Sequence, residues 1–144
     1  MNKGRTGERL FSNIMSEKGY SVEDVSGNPQ YWYKDIDFII TSPSSGLTKT
    51  FEVKWDSRIN KTHNLYIELT NVNSKGGKGW FTFCEADYLA YGDAAARCFY
   101  IIPLLELKNK INNNKVQCRT AQCGYDSTGL LVCIDDISDI VELL

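Results

Sequence analysis

Residues 48–56 carry a side-chain pattern that fits only an extended strand. In Phe51-Glu52-Val53-Lys54-Trp55, alternation sends Phe51, Val53 and Trp55 to one face and Glu52 and Lys54 to the other. The apolar face demands a core partner, so a carboxylate and an ammonium are set together on the opposite face. A second apolar run, Asp35-Ile36-Asp37-Phe38-Ile39-Ile40, precedes it and begins with acids. Ser42-Pro43-Ser44-Ser45-Gly46 joins the two, a connection short enough for an antiparallel hairpin. That hairpin brings the acidic start of one strand beside Glu52 and Lys54.

The chain of 144 residues reads as one domain, 1–144, large enough to bury a core without disulfide or metal staples. A net charge of −2 excludes a binder that coats nucleic acid with its whole surface. Its distribution is more useful: from Lys49 to Lys78 basic residues predominate, whereas Asp135, Asp136, Asp139 and Glu142 crowd the C-terminal stretch. A positive segment on an acidic chain suits phosphate contacts confined to one groove. No apolar run is long enough to span a bilayer and none resembles a signal peptide, so the expectation is a cytoplasmic, intracellular protein with no membrane partner. Cys84, Cys98, Cys118, Cys123 and Cys133 read as scattered reduced thiols. Cys118 and Cys123 have a spacing seen in zinc sites, but the single histidine, His63, is remote.

Along the chain, Leu10, Phe11, Ile14 and Met15 recur at helical spacing, predicting a helix from Arg5 to about Lys18 that stops at Gly19. Tyr20 to Val25 reads as a short strand, and Tyr31–Thr41 and Thr48–Asp56 as the two strongest strands. Leu65–Thr70 is a further strand, followed by a loop over 73–79, a short apolar segment over 80–83 and a short helix over 85–91. Cys98–Ile102 is apolar enough for a strand covered on both faces, and Pro103 fits the first turn of a helix to about Ile111. A strand over 130–134 and a short helix over 137–144 complete the prediction. This order points to an α/β or α+β sandwich with a mixed sheet.

Hydrolysis of a phosphodiester requires an activated water, neutralisation of phosphate charge and help for the leaving oxygen. A Mg²⁺ ion held by Asp37 and Glu52, with the Val53 backbone carbonyl as a third ligand, can supply all three. Lys54 would then orient the water or stabilise developing negative charge. Asp35, placed on the same strand face as Asp37, or Glu68 on the polar face of its strand, can add a ligand. A lone histidine and unpaired cysteines argue against His-based or Cys–His catalysis. The competing reading is a sheet face carrying an ordinary cross-strand salt bridge.

These residues carry a resemblance. Asp37 followed by Glu52-Val53-Lys54 resembles the PD-(D/E)xK motif of the restriction-endonuclease-like nuclease superfamily. The opening Gly4-Arg5-Thr6-Gly7-Glu8-Arg9-Leu10-Phe11, with Gly19-Tyr20-Ser21-Val22, is similar to the first helix and strand of Holliday-junction-resolvase-like and phage nucleases. Glu8 matches the helix glutamate that approaches the metal in those families. The resemblance covers roughly the first half of the chain. It implies an αβββαβ core with a mixed central sheet flanked by helices, Mg²⁺ or Mn²⁺ dependence, endonucleolytic cleavage of DNA with a taste for branched or structured forms, and frequent homodimers. The motif's proline is missing, since Ile36 precedes Asp37. A catalytically inactive module of the same fold, binding DNA or a protein, is the alternative.

Arg58, Lys61 and His63 follow the Glu52–Lys54 strand closely and can contact phosphates, and an ordinary solvated loop accounts for them equally well. Lys75 and Lys78 can reach a DNA backbone from a mobile loop, although a plain flexible connection accounts for them better. Lys75-Gly76-Gly77-Lys78-Gly79-Trp80 lacks the spacing of a phosphate-binding P-loop. Among the aromatics Tyr31, Trp32, Tyr33, Trp55 and Trp80, most should be core, with some available for base stacking.

Overall fold

Helix α1 (Lys3–Glu17) turns its apolar stripe onto a six-stranded sheet. The computed structural model describes residues 3–73, 75–116, 118–123 and 126–144. Phe11 is the centre of the α1 contact, with its ring centroid 5.6 Å from Phe38, 5.2 Å from Phe51 and 5.5 Å from Phe99. Met15, Ile40, Val53 and Ala90 fill the space around it. Gly7 lets the helix lie close to the sheet, because a Cβ there would stand 2.8 Å from Cβ of Trp55. The helix ends as the sequence signals. Gly19 takes φ 91°, Tyr20 N–H bonds Met15 C=O and Gly19 N–H bonds Ser16 C=O, a left-handed C-terminal cap.

The sheet contains β1 (Ser21–Asp24), β2 (Phe38–Thr41), β3 (Thr48–Asp56), β5 (Tyr88–Asp93), β6 (Cys98–Pro103) and β9 (Glu142–Leu143), in the spatial order β1-β2-β3-β5-β6-β9. Only β3 and β5 run parallel; the other pairs are antiparallel, so the sheet is mixed. The hairpin of β2 and β3 has the predicted sense, with Phe38 opposite Phe51 and Thr41 opposite Thr48. On the face away from α1, helix α5 (Leu104–Asn112) and a second sheet cover Leu89, Tyr91 and Ile102. That second sheet, ordered β4-β8-β7, is built from β4 (Asn64–Asn71), β7 (Cys118–Cys123) and β8 (Ser127–Cys133). Three single helical turns, α2 (Pro29–Trp32), α3 (Ile59–Thr62) and α4 (Trp80–Phe83), link these parts. The whole is an α+β fold with a mixed central sheet flanked by helices.

Three expectations are corrected. The segment Tyr31–Thr41 is a strand only from Phe38. Upstream, Asn28 caps α2 by accepting the Gln30 N–H while Pro29 occupies the first turn, and this capping outweighs the β propensity of Tyr31-Trp32-Tyr33. Residues 85–91 are not a helix: Tyr88–Asp93 is β5, at the centre of the sheet. Its burial on both faces produces a continuous apolar run that periodicity does not distinguish from a buried helix. Residues 137–144 are not a helix either. A 3₁₀ turn covers Ile134–Ile137, and Leu144 then exchanges both backbone hydrogen bonds with Phe99 at 2.8 and 3.2 Å. Strand β7 was not anticipated, and the strand predicted at 65–70 belongs to the second sheet.

Candidate active site

Strand β3 is sandwiched between two unequal neighbours. Strand β5 follows it through Asp56, opposite Asp93, whereas β2 pairs with it only as far as Phe51. Beyond that point Asp37 takes over. Its N–H bonds the Phe51 carbonyl at 2.9 Å, and its side-chain Oδ2 accepts the Val53 N–H at 2.9 Å. A carboxylate thereby substitutes for a missing strand along the β3 edge. A strand residue directs its N–H and C=O to the same edge, so the Val53 carbonyl points beside Asp37.

Glu52 points away from α1 and is 3% exposed. Its Oε1 lies 2.8 Å from Nζ of Lys54, whose ammonium is also 3.9 Å from Oδ2 of Asp35. The Trp80 ring covers the same ammonium, with its centroid 4.9 Å away. Two oxygens, Oε2 of Glu52 and Oδ2 of Asp35, are buried without a hydrogen-bond partner. Buried carboxylate oxygens are costly unless a cation or a shared proton faces them; Glu52 lies within hydrogen-bonding reach of both Asp35 and Asp37, so the cluster could take up either. The donor set is all oxygen, the preference of hard divalent ions. Among the described residues no three His, Cys, Asp or Glu side chains are grouped closely enough to hold an ion by themselves. Coordination would therefore draw on the Val53 carbonyl and on water as well as carboxylates, as hard hydrated ions commonly do.

The charges respond to one another. Burial raises the pKa of Glu52 well above the ordinary carboxylate value, against the attraction of Lys54, and Asp35 and Asp37 repel it further. Asp35 and Asp37 are raised too, chiefly by burial. Lys54 loses some basicity to burial, but Glu52 and Asp35 more than restore it, so the ammonium stays charged. Glu8, on α1, is pushed up to about 7 by burial and by the charges of Asp37 and Asp24. Asp24, at the end of β1, belongs to this field although no motif marks it.

Asp37, Glu52, Lys54 and Asp35 are thus brought together, with Glu8 in electrostatic contact. Strand alternation predicts Asp35 on the same face as Asp37, but neither lies within β2, which begins at Phe38. Asp35 occupies a left-handed turn at φ 55°, and that turn aims it at Lys54. Glu68 acts on Asp35 electrostatically, but its Oε2 accepts Ser127 Oγ at 3.0 Å and Asn71 Nδ2 at 3.4 Å, tying it to the second sheet. Arg58 lines a groove that begins at Lys54. Lys61 and His63 are exposed on and after α3, and Lys78 is exposed opposite Thr70. The Lys75 side chain lies outside the described residues. Cys118 and Cys123 sit five residues apart on β7, an odd separation that puts them on opposite faces and breaks the zinc pairing.

Comparison with known proteins returns a likeness of shape. No protein family and no curated relative matches the chain. The structure of a bacterial homing endonuclease, I-Ssp6803I, matches with a TM-score of 0.51 and 17% sequence identity, over 71% of this chain and 67% of that one. At that identity the common property is the fold. Among the described residues no helix is long and apolar enough to cross a membrane.

Proposed function

We propose that this chain is a Mg²⁺- or Mn²⁺-dependent endonuclease that hydrolyses DNA phosphodiester bonds. The observation that carries the reading is the pair of buried, unpartnered carboxylate oxygens beside Lys54 at the open edge of β3. The fold likeness to an endonuclease supports it. Asp37 and Glu52 would hold the ion with the Val53 carbonyl, and Asp35 stands ready to add a ligand. Once bound, the ion polarises phosphoryl oxygen and lowers the pKa of a coordinated water.

The chain's own residues do the remaining work. Lys54 sets a permanent positive charge against the site, where it orients the attacking water and offsets charge developing on the phosphate. Glu52 and Asp35 position that ammonium, and the Trp80 ring lies against one side of it. Glu8, protonating near neutrality, tunes the field felt by Asp37. This acid–lysine arrangement fits the PD-(D/E)xK pattern that Asp37 and Glu52-Val53-Lys54 resemble.

A second reading is favoured by one contact: Lys54 already neutralises Glu52 at 2.8 Å, as it would in a nuclease-like module that only binds. Incubation with supercoiled DNA and Mn²⁺ separates the two. The nuclease nicks the plasmid, while Glu52→Ala and Lys54→Ala abolish nicking and retain the folded circular dichroism spectrum. Nicking that survives both substitutions removes this site from the mechanism.

A further inference from the structure

A groove of about 780 Å³ opens between the end of β3 and the second sheet, and Lys54 stands in it. Its apolar surface comes from Trp80 and from Tyr66 and Leu131, which pair across β4 and β8. Its charge comes from arginines on two elements. Arg58 follows β3, and Arg119 on β7 is in register with Leu131, so it shares that face of the sheet. Among the described residues neither guanidinium is salt-bridged. The one acid in the lining, Asp56, is engaged by the Tyr91 hydroxyl and the Arg58 N–H.

Cations beside aromatic and aliphatic surface fit a ligand that presents phosphates and flat apolar faces together. A continuous duplex offers its phosphates but keeps base faces stacked inside. An unpaired strand exposes both, and the combination of basic groove and aromatic surface is how such strands are held. The volume is that of a cleft for a small ligand, roughly 300–1,000 Å³, suited to nucleotides taken singly.

We infer that this groove holds an unpaired stretch of the DNA strand next to the scissile phosphate, making DNA with a single-stranded segment the substrate class. The inference rests on the nuclease reading for its orientation, and it narrows the substrate of the same site. Arg58 and Arg119 clamp successive phosphates, Tyr66 and Leu131 receive a base, and the strand continues past Trp80 to Lys54.

The test is fluorescence anisotropy in EDTA, using the full-length Glu52→Gln protein and labelled oligonucleotides: a single strand, a blunt duplex, a duplex with a single-stranded tail, and an RNA strand of the same sequence. The single strand and tailed duplex should bind at least tenfold tighter than the blunt duplex. Adding Arg119→Ala or Arg58→Ala should weaken them about tenfold each, reduce the salt slope by about 0.7 per lost phosphate contact and leave the blunt duplex unchanged. Equal binding of blunt duplex, or indifference of single-strand binding to both arginines, overturns the inference. Tighter binding of RNA overturns its assignment to DNA. The two readings fail separately: wild-type protein that binds as expected yet nicks nothing in Mn²⁺ loses the nuclease reading, whereas one that nicks blunt duplex without preference loses the groove.

Discussion

Replacing the two halves of the Lys54–Glu52 pair should have unequal effects on stability: one replacement is costly and the other is not. Lys54→Met removes the ammonium 2.8 Å from Glu52 and leaves Glu52, Asp35 and Asp37 facing one another. Breaking a fully enclosed ion pair costs about 3–5 kcal/mol. Lys54 is 29% exposed, and the crowded carboxylates can take up a proton, so a loss of about 2 kcal/mol is expected. For a domain of this length that lowers Tm by about 8 °C. Glu52→Gln removes a carboxylate that burial disfavours and whose Oε2 has no partner. Lys54 keeps Asp35 at 3.9 Å and access to water. That variant should be unchanged or more stable by up to about 1 kcal/mol, the usual behaviour of groups retained for function. The double variant should recover about 1.5 kcal/mol of the Lys54→Met loss. Urea unfolding in EDTA at neutral pH measures all four corners of the cycle. A loss above about 2 kcal/mol for Glu52→Gln would make the pair a structural salt bridge and refute the reasoning. Mn²⁺ should raise the Tm of wild type and leave Glu52→Gln unmoved.

Asp37 separates two roles in one side chain. Asp37→Asn keeps an oxygen for the Val53 N–H and should remain folded while losing Mn²⁺ stabilisation and at least 100-fold in nicking rate; Asp37→Ala also strands that N–H and should cost about 1–3 kcal/mol more, read by the same urea titration. Glu8 gives a pH signature: its folded pKa of about 7 exceeds the ordinary 4.5, so its ionised form opposes folding above pH 7, and that opposition fades as pH falls toward 4.5. The stability of wild type relative to Glu8→Gln should therefore rise from pH 8.5 to pH 5 in EDTA, and a difference that is flat with pH would show that Glu8 is not in this field.

The parts of this architecture that were legible share a local cause. Strand β3 was readable because its apolar residues alternate without interruption, and α1 because Gly19 ends a clear helical stripe. Glu52 and Lys54 followed from β3 alone. The long-range features left weaker traces. Strand β5 is apolar on both faces, so no period marks it, and Gly92 within it is there because a Cβ would meet the Trp55 ring at 2.3 Å, a contact invisible in sequence. Strand β7 reads as polar and half exposed, which concealed both the second sheet and Arg119. Trp80 reads from sequence only as one of several core or stacking aromatics; its position over Lys54 depends on a separate helical turn and on no local signal. Asn28-Pro29 is turn chemistry, but its consequence, a capped turn displacing a strand, is masked by the three aromatics that follow it.

That displaced strand is also what opens the site. Had residues 31–37 continued β2, the N–H groups of Asp35 and Ile36 would have been available to β3, and one would have taken the Val53 carbonyl into the ladder. Instead they bond back to the Trp32 and Tyr31 carbonyls, each at 3.2 Å. The left-handed turn at Asp35 completes the reversal and directs its carboxylate to Lys54. An unpaired strand edge is ordinarily a hazard that folds cover or charge; here the Asp37 carboxylate covers the Val53 N–H and leaves the carbonyl to another partner. The capped turn that delays the start of β2 and the oxygen-rich edge of β3 are therefore one feature. A chain with better strand propensity at 31–37 would gain a longer ladder and lose the place where an ion could bind.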